Sequence, residues 1–168
     1  MAITAEDVKR LREETGAGML DAKKALDAAK GDFAKAKAVL AKAGFAAATK
    51  RADRETAEGL VQSYIHHNHR VGALVEVNCE SDFVARTDDF KDLVAAIALQ
   101  VAGTSPKYLS AEDLPKGSED DPKVACLLEQ PYLKDESKTI GDMVREAIGK
   151  TGENIRIKRF ARFELGDK

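Results

Sequence analysis

Three histidines, two cysteines and one Gly-Lys-Thr triplet are the residues of this 168-residue chain whose types could carry chemistry. His66, His67 and His69 lie close together, and with Cys79 they would offer a metal ion nitrogen and sulfur ligands. The spacing argues against it. Cys79 closes a β-branched run that begins just after the histidines, and roughly eight residues at about 3.3 Å each put more than about 20 Å between them. No second ligand cluster with zinc-like spacing follows, so the histidines read as solvated turn residues. Gly149-Lys150-Thr151 imitates the end of a phosphate-binding loop, but such a loop needs a glycine where Val144 stands. It also leaves a strand to meet phosphate at a helix N-terminus, whereas this triplet leaves a helix and enters a strand. It reads as a helix C-terminal turn. There is no Gly-x-Ser-x-Gly elbow and no cysteine in a nucleophile pattern, and the many carboxylates fall on helix surfaces where solvation explains them. The expectation is a binding or regulatory protein that is not an enzyme and uses no cofactor.

Composition narrows the partner. Twenty-seven Lys and Arg nearly balance 29 Asp and Glu, so no single-sign field of the kind that coats nucleic acid is expected. Through Arg54 there are twelve basic residues against eight acidic ones, a hint of an acidic partner for the N-terminal part. Two cysteines make no disulfide framework, and "MAITAEDVKRL" has neither an apolar leader core nor a membrane-length run. Reduced thiols in the cytoplasm are the expected state.

The chain reads as three short helices, a connector and a mixed core. Thr4 and Asp7 form a capping-box start, and Val8 and Leu11 give the first helix an apolar side until "TGAG" ends it. The second helix, from about Met19 to Gly31, should turn Met19, Ala22, Ala25, Leu26 and Ala29 inward. That leaves Leu20 on the solvent side, either as one of the isolated apolar residues common on surfaces or as a binding knob. The third follows Asp32 and lines up Phe33, Ala36, Leu40 and Ala43 before Gly44. Residues 1–44 are thus expected as a three-helix module, 45–58 as a helical linker and 59–168 as the core domain. In the core, Leu60 to His66 and Val71 to Asn78 should form a hairpin through "HNHR". Phe90, Leu93, Val94, Ile97 and Val101 mark an amphipathic helix. A proline-rich irregular loop, a helix from about Thr139 to Lys150 and a final strand, "NIRIKRFARFEL", complete it. The fold class is α+β: a small antiparallel sheet covered on one face by helices.

Phe83, in "NCESDFVARTDDF", has two readings. Ser81 can cap a helix with Asp82 in its first turn. If that helix ran unbroken to Val101, Phe83 would join the buried stripe, as the periodicity favours. If Thr87 starts a new helix, "SDFVAR" is a separate turn and Phe83 is free to point outward.

Five stretches, "VKRLREETGAGMLDAKKAL", "ADRETAEGLV", "HRVGALVEVNCESDFVAR", "LLEQPYL" and "NIRIKRFARFELG", closely resemble the translation elongation factor Ts family, in order over nearly the whole chain. The resemblance implies a ubiquitin-associated-type N-terminal module and a guanine nucleotide exchange factor for elongation factor Tu, engaging its GDP-bound and nucleotide-free states. It implies that Ser81, Asp82, Phe83 and Val84 press on the GTPase. Phe83 would wedge in near the magnesium region, displacing Mg²⁺ and disturbing the phosphate-binding loop to promote GDP release. It also implies that Arg12, Met19, Leu20 and Lys23 lie on the docking surface of the N-terminal module. Ser81 stands where threonine is common, and Leu20 where methionine is common. Longer members have a second copy of the core subdomain. Short ones can pair as homodimers, and whether this chain does is left open. No direct nucleic-acid or membrane contact is implied. The alternatives are a non-catalytic α+β interaction module or a nucleic-acid-binding module, for which "RIKRFARF" is the one candidate stretch and an alternating strand explains it more simply.

Overall fold

The computed structural model describes residues 3–167. It begins with three helices, α1 (Ala5–Thr15), α2 (Met19–Ala28) and α3 (Phe33–Arg51). Thr4 and Asp7 form the expected capping box, and Gly16 closes α1 in the left-handed conformation at φ 68°. Val8, Leu11, Ala22, Ala25, Leu26, Ala29 and Ala36 bury together, with Phe33 and Leu40 half-buried beside them. Four of the seven are alanines, so the helices approach closely and the core between them is thin.

Two sequence expectations change here. Met19 is exposed rather than inward. It is the first residue of α2, and helix side chains lean toward the N-terminus, so it projects past the end of the helix with no preceding turn to cover. The third helix does not stop before Gly44 but runs unbroken to Arg51, and Ala43, expected on its inward stripe, is exposed. Gly44 serves close approach instead of termination. Its missing side chain lets α3 lie on a later helix, α7 (Ile140–Thr151), where a Cβ built on Gly149 would come within 3.3 Å of the Gly44 Cα. That contact accounts for the Gly149-Lys150-Thr151 triplet too. Gly149 meets α3, Lys150 pairs with Asp89 at 2.8 Å, and the Thr151 hydroxyl donates to the Ala147 carbonyl just before Gly152 ends the helix.

The rest is a three-stranded antiparallel sheet with helices on one face. β1 (Glu58–Ile65), β2 (Val71–Cys79) and β5 (Ile155–Glu164) lie in the order β1-β2-β5. On the inner face Ala73, Val75, Val77 and Cys79 pack on α5 (Asp88–Thr104) and share one buried core with its Phe90, Val94, Ile97 and Val101, while Ile140, Val144 and Ile148 of α7 close that core beside Ile155 and Ile157 of β5. The expected irregular loop follows, broken by a 3₁₀ turn at Ala111–Asp113 and a short helix α6 (Pro122–Ala125). A two-stranded ribbon, β3 (Pro131–Tyr132) and β4 (Asp135–Thr139), had no signal in the residue pattern. It is pinned by buried Gln100, whose amide donates to the Pro131 carbonyl and accepts from the Leu133 amide. Among the described residues, no helix is long and apolar enough to cross a membrane.

Gly59 shows how tightly the sheet starts. Its φ is +146°, and a Cβ there would run into the Val77 carbonyl oxygen. Gly59→Ala is therefore expected to lose about 2–4 kcal/mol in urea unfolding, combining backbone strain with a clash against main chain. An unchanged midpoint would show that the strand can shift to admit the methyl group.

Candidate partner-binding surface

Ser81 caps a one-turn helix, α4 (Asp82–Ala85), that stands apart from α5. The break at Thr87 is a second capping site. The Thr87 hydroxyl donates to the Val84 carbonyl at 2.7 Å and accepts from the Phe90 amide at 3.3 Å, ending one helix while starting the next. The unbroken-helix reading of Phe83 is thereby overturned. Val84 and Ala85 go into the core cluster, and in so short a turn that leaves Asp82 and Phe83 on the outside. Phe83 is 77% exposed, the most exposed of the large apolar side chains among the described residues. Asp82 pairs with Arg86 at 2.9 Å on the surface beside it.

The turn is held from elsewhere in the chain by groups that sequence reasoning missed. Glu153, between α7 and β5, accepts the backbone amides of Glu80 and Ser81 at 3.1 and 3.0 Å and the Ser81 hydroxyl at 2.5 Å. The Ser81 oxygen in turn accepts from the Val84 amide, the N-cap bond expected of it. Glu80 reciprocates by accepting from the Asn154 amide at 2.6 Å and from Arg54 at 3.3 Å, and these hold its carboxyl below the usual carboxylate range. Buried Asn154 donates to the Ala52 and Arg54 carbonyls. One node thus ties the end of the N-terminal helices, the Phe83 turn and the start of β5. Nothing in the spacing of Glu80 and Glu153, 73 residues apart, marks them as partners. The only sequence signal is that each is a carboxylate at the edge of a strand.

Burial, with the Glu153 carboxylate nearby, pushes the Cys79 thiol up to about 11. It stays protonated at neutral pH and its sulfur donates to the Ser81 carbonyl, so it braces the turn and is unsuited to nucleophilic work. The histidines stay in and beside the β1–β2 turn, where the His66 ring meets the Tyr64 hydroxyl at 3.1 Å, and Cys79 lies at the far end of β2.

The other expected contact residues, Arg12, Met19, Leu20 and Lys23, are all exposed at the α1–α2 corner. Leu20 is 72% and Met19 52% exposed, so the two form an apolar knob flanked by Arg12 at the end of α1 and Lys23 in the next turn. A third apolar surface was not foreseen. The sheet face away from α5 is uncovered and carries Val61, Ile65, Leu74 and Phe163, all exposed, with Ile65 and Phe163 paired across Gly72.

The family described as Elongation factor TS matches residues 5–123. Elongation factor Ts from Coprothermobacter proteolyticus is 46% identical, covering 99% of this chain and 100% of that one. The protein of the same name from Thermoanaerobacter sp. strain X514 is 47% identical over 98% of this chain and 96% of its own length. That from Thermotoga neapolitana is 43% identical over the full length of both. With a family match across most of the chain and relatives this close end to end, the chain belongs to the elongation factor Ts family of translation elongation factors.

Proposed function

We propose that this protein is the guanine nucleotide exchange factor for elongation factor Tu and works in the cytoplasm, with no catalytic group of its own. The observation that carries this reading is a large aromatic side chain held out in solvent on a turn that Glu153 braces; a single exposed apolar residue is ordinary, but one fixed in place by its turn is presented for insertion into a partner. The N-terminal helices α1 to α3 dock on the nucleotide-binding domain through Arg12, Met19, Leu20 and Lys23. The Ser81 to Val84 turn then presses Phe83 toward the magnesium site and loosens the phosphate-binding loop.

The energetics need no bond-making. Mg²⁺ and the loop amides hold the phosphates of the nucleotide, so a factor that binds the opened site better than the closed one competes with nucleotide through a coupling free energy. Three to five decades of acceleration require roughly 4–7 kcal/mol of such preference, at about 1.4 kcal/mol per decade. A few buried apolar anchors supply that. Coupling is reciprocal, so GDP must expel the factor as the factor expels GDP. On gel filtration the chain is expected to co-elute with nucleotide-free elongation factor Tu and to separate from it when excess GDP and Mg²⁺ are added. A complex indifferent to GDP would leave a scaffold and remove the exchange reading.

A second copy of the chain is the proposed occupant of the bare sheet face. The patch combines apolar Ile65, Leu74 and Phe163 at one end with the Glu76–Arg159 pair at the other, and two-fold pairing would set one such patch on another. Phe163→Glu is expected to turn a sedimenting dimer into a folded monomer. A native chain that sediments as a monomer throughout the micromolar range would refute it.

A further inference from the structure

The geometry points to Glu153 as a positioning residue for exchange, one that holds the Ser81–Phe83 turn ready for the GTPase without touching it. The inference rests on the exchange reading and deepens it. A four-residue helix does not hold itself, because nucleation costs more than one turn of hydrogen bonds returns. Val84 and Ala85 anchor the inner side of α4 in the core, but its outer side, with Asp82 and Phe83, depends on the cap. Ser81 has one hydroxyl proton and donates it in a hydrogen bond to the Glu153 carboxylate, which leaves an oxygen lone pair directed at the Val84 amide. The same carboxylate satisfies the Glu80 and Ser81 amides, donors that meet no strand partner where the chain leaves β2. Removing it frees the cap to rotate and strands two amides while the core anchor remains. The turn then samples several orientations, and affinity for the opened GTPase falls with the fraction that is competent.

Charge-assisted hydrogen bonds of this kind are worth about ten- to a hundredfold, so Glu153→Ala is expected to slow stimulated GDP release about tenfold at limiting factor. Glu153→Gln keeps a carbonyl oxygen for the two amides and is expected to recover to within about threefold of native. A residue that acts through Phe83 should matter little once Phe83 is gone. Adding Glu153→Ala to Phe83→Ala is therefore expected to change release by less than about twofold.

The experiment is release of a fluorescent GDP analogue from elongation factor Tu by the native protein, the three single variants and the double variant. Amide hydrogen exchange on the free proteins accompanies it. Glu80 and Ser81 amides should exchange faster in Glu153→Ala while Val75 and Val77 keep their protection. Native-like release by Glu153→Ala, or the same tenfold loss on top of Phe83→Ala, would overturn the inference, the second result marking Glu153 as a general stabiliser. If the native protein itself gave no acceleration, the exchange reading would fall. Unchanged Glu80 and Ser81 protection in Glu153→Ala would then overturn the positioning claim on its own.

Discussion

Phe83→Ala should leave a protein that melts like the native one and exchanges nucleotide about thirtyfold more slowly or worse. The two halves of that result come from the same number. At 77% exposure the ring contributes little to the fold, and surface truncations fall within about 0.5 kcal/mol. A large aromatic side chain seated in a partner's pocket is the kind of residue whose truncation costs about 2 kcal/mol or more, which is at least about thirtyfold in an equilibrium or rate governed by that contact. Thermal melting and nucleotide release, measured on one preparation, separate the two. Native release from a protein of native stability would show that the turn is a surface feature and that exchange is driven elsewhere. Early melting would show that the ring belongs to the core and that its outward position is wrong.

Leu26→Ala is expected to act in the opposite way, on stability first and function second. Leu26 is fully buried in a cluster whose other large members are Val8 and Leu11, the remainder being alanines. Truncating a buried leucine costs about 2–5 kcal/mol, and a core this thin has little stability in reserve. The N-terminal helices should lose helical circular dichroism at a temperature where the sheet and α5 remain folded, giving two transitions in place of one. Exchange should then need far more factor for half-maximal effect, since Arg12, Met19, Leu20 and Lys23 no longer share a surface. A single transition shifted as a whole would mean that α3, through Gly44 on α7, couples the two clusters into one cooperative unit.

The elements that announced themselves in the sequence are those whose side chains repeat with a period. The Val71 to Asn78 alternation, the Phe90 to Val101 stripe and the Thr4 cap all became structure because each is written within a few consecutive residues: the first two turn one apolar face inward, and the third satisfies the end of its own helix. Leu20 was legible as an exposed apolar residue for the same reason. Phe83 was not settled by period, since seven residues before Phe90 is a core position in a continuous helix. Its fate turned on Thr87, whose hydroxyl could serve either as a helix interior group or as a cap. Met19 was misplaced although the helix start was placed correctly, because the wheel gives a residue's angle and not that the first side chain of a helix leans past its end. What stayed hidden depends on distant pairs: Glu153 with Ser81, Asn154 with the residues just after α3, Gly44 with Gly149, and Gln100 holding a ribbon too short to show alternation. Each of these is one polar or small residue whose partner lies tens of residues away, and no local pattern encodes such a meeting.

The measurement that bears most directly on the central claim is the rate of labelled GDP release from elongation factor Tu as the native protein is titrated. The account predicts a rate that rises with factor and saturates about three or more decades above the spontaneous one, with excess Mg²⁺ opposing the rise. A rate that stays at the spontaneous value across the whole titration would contradict it.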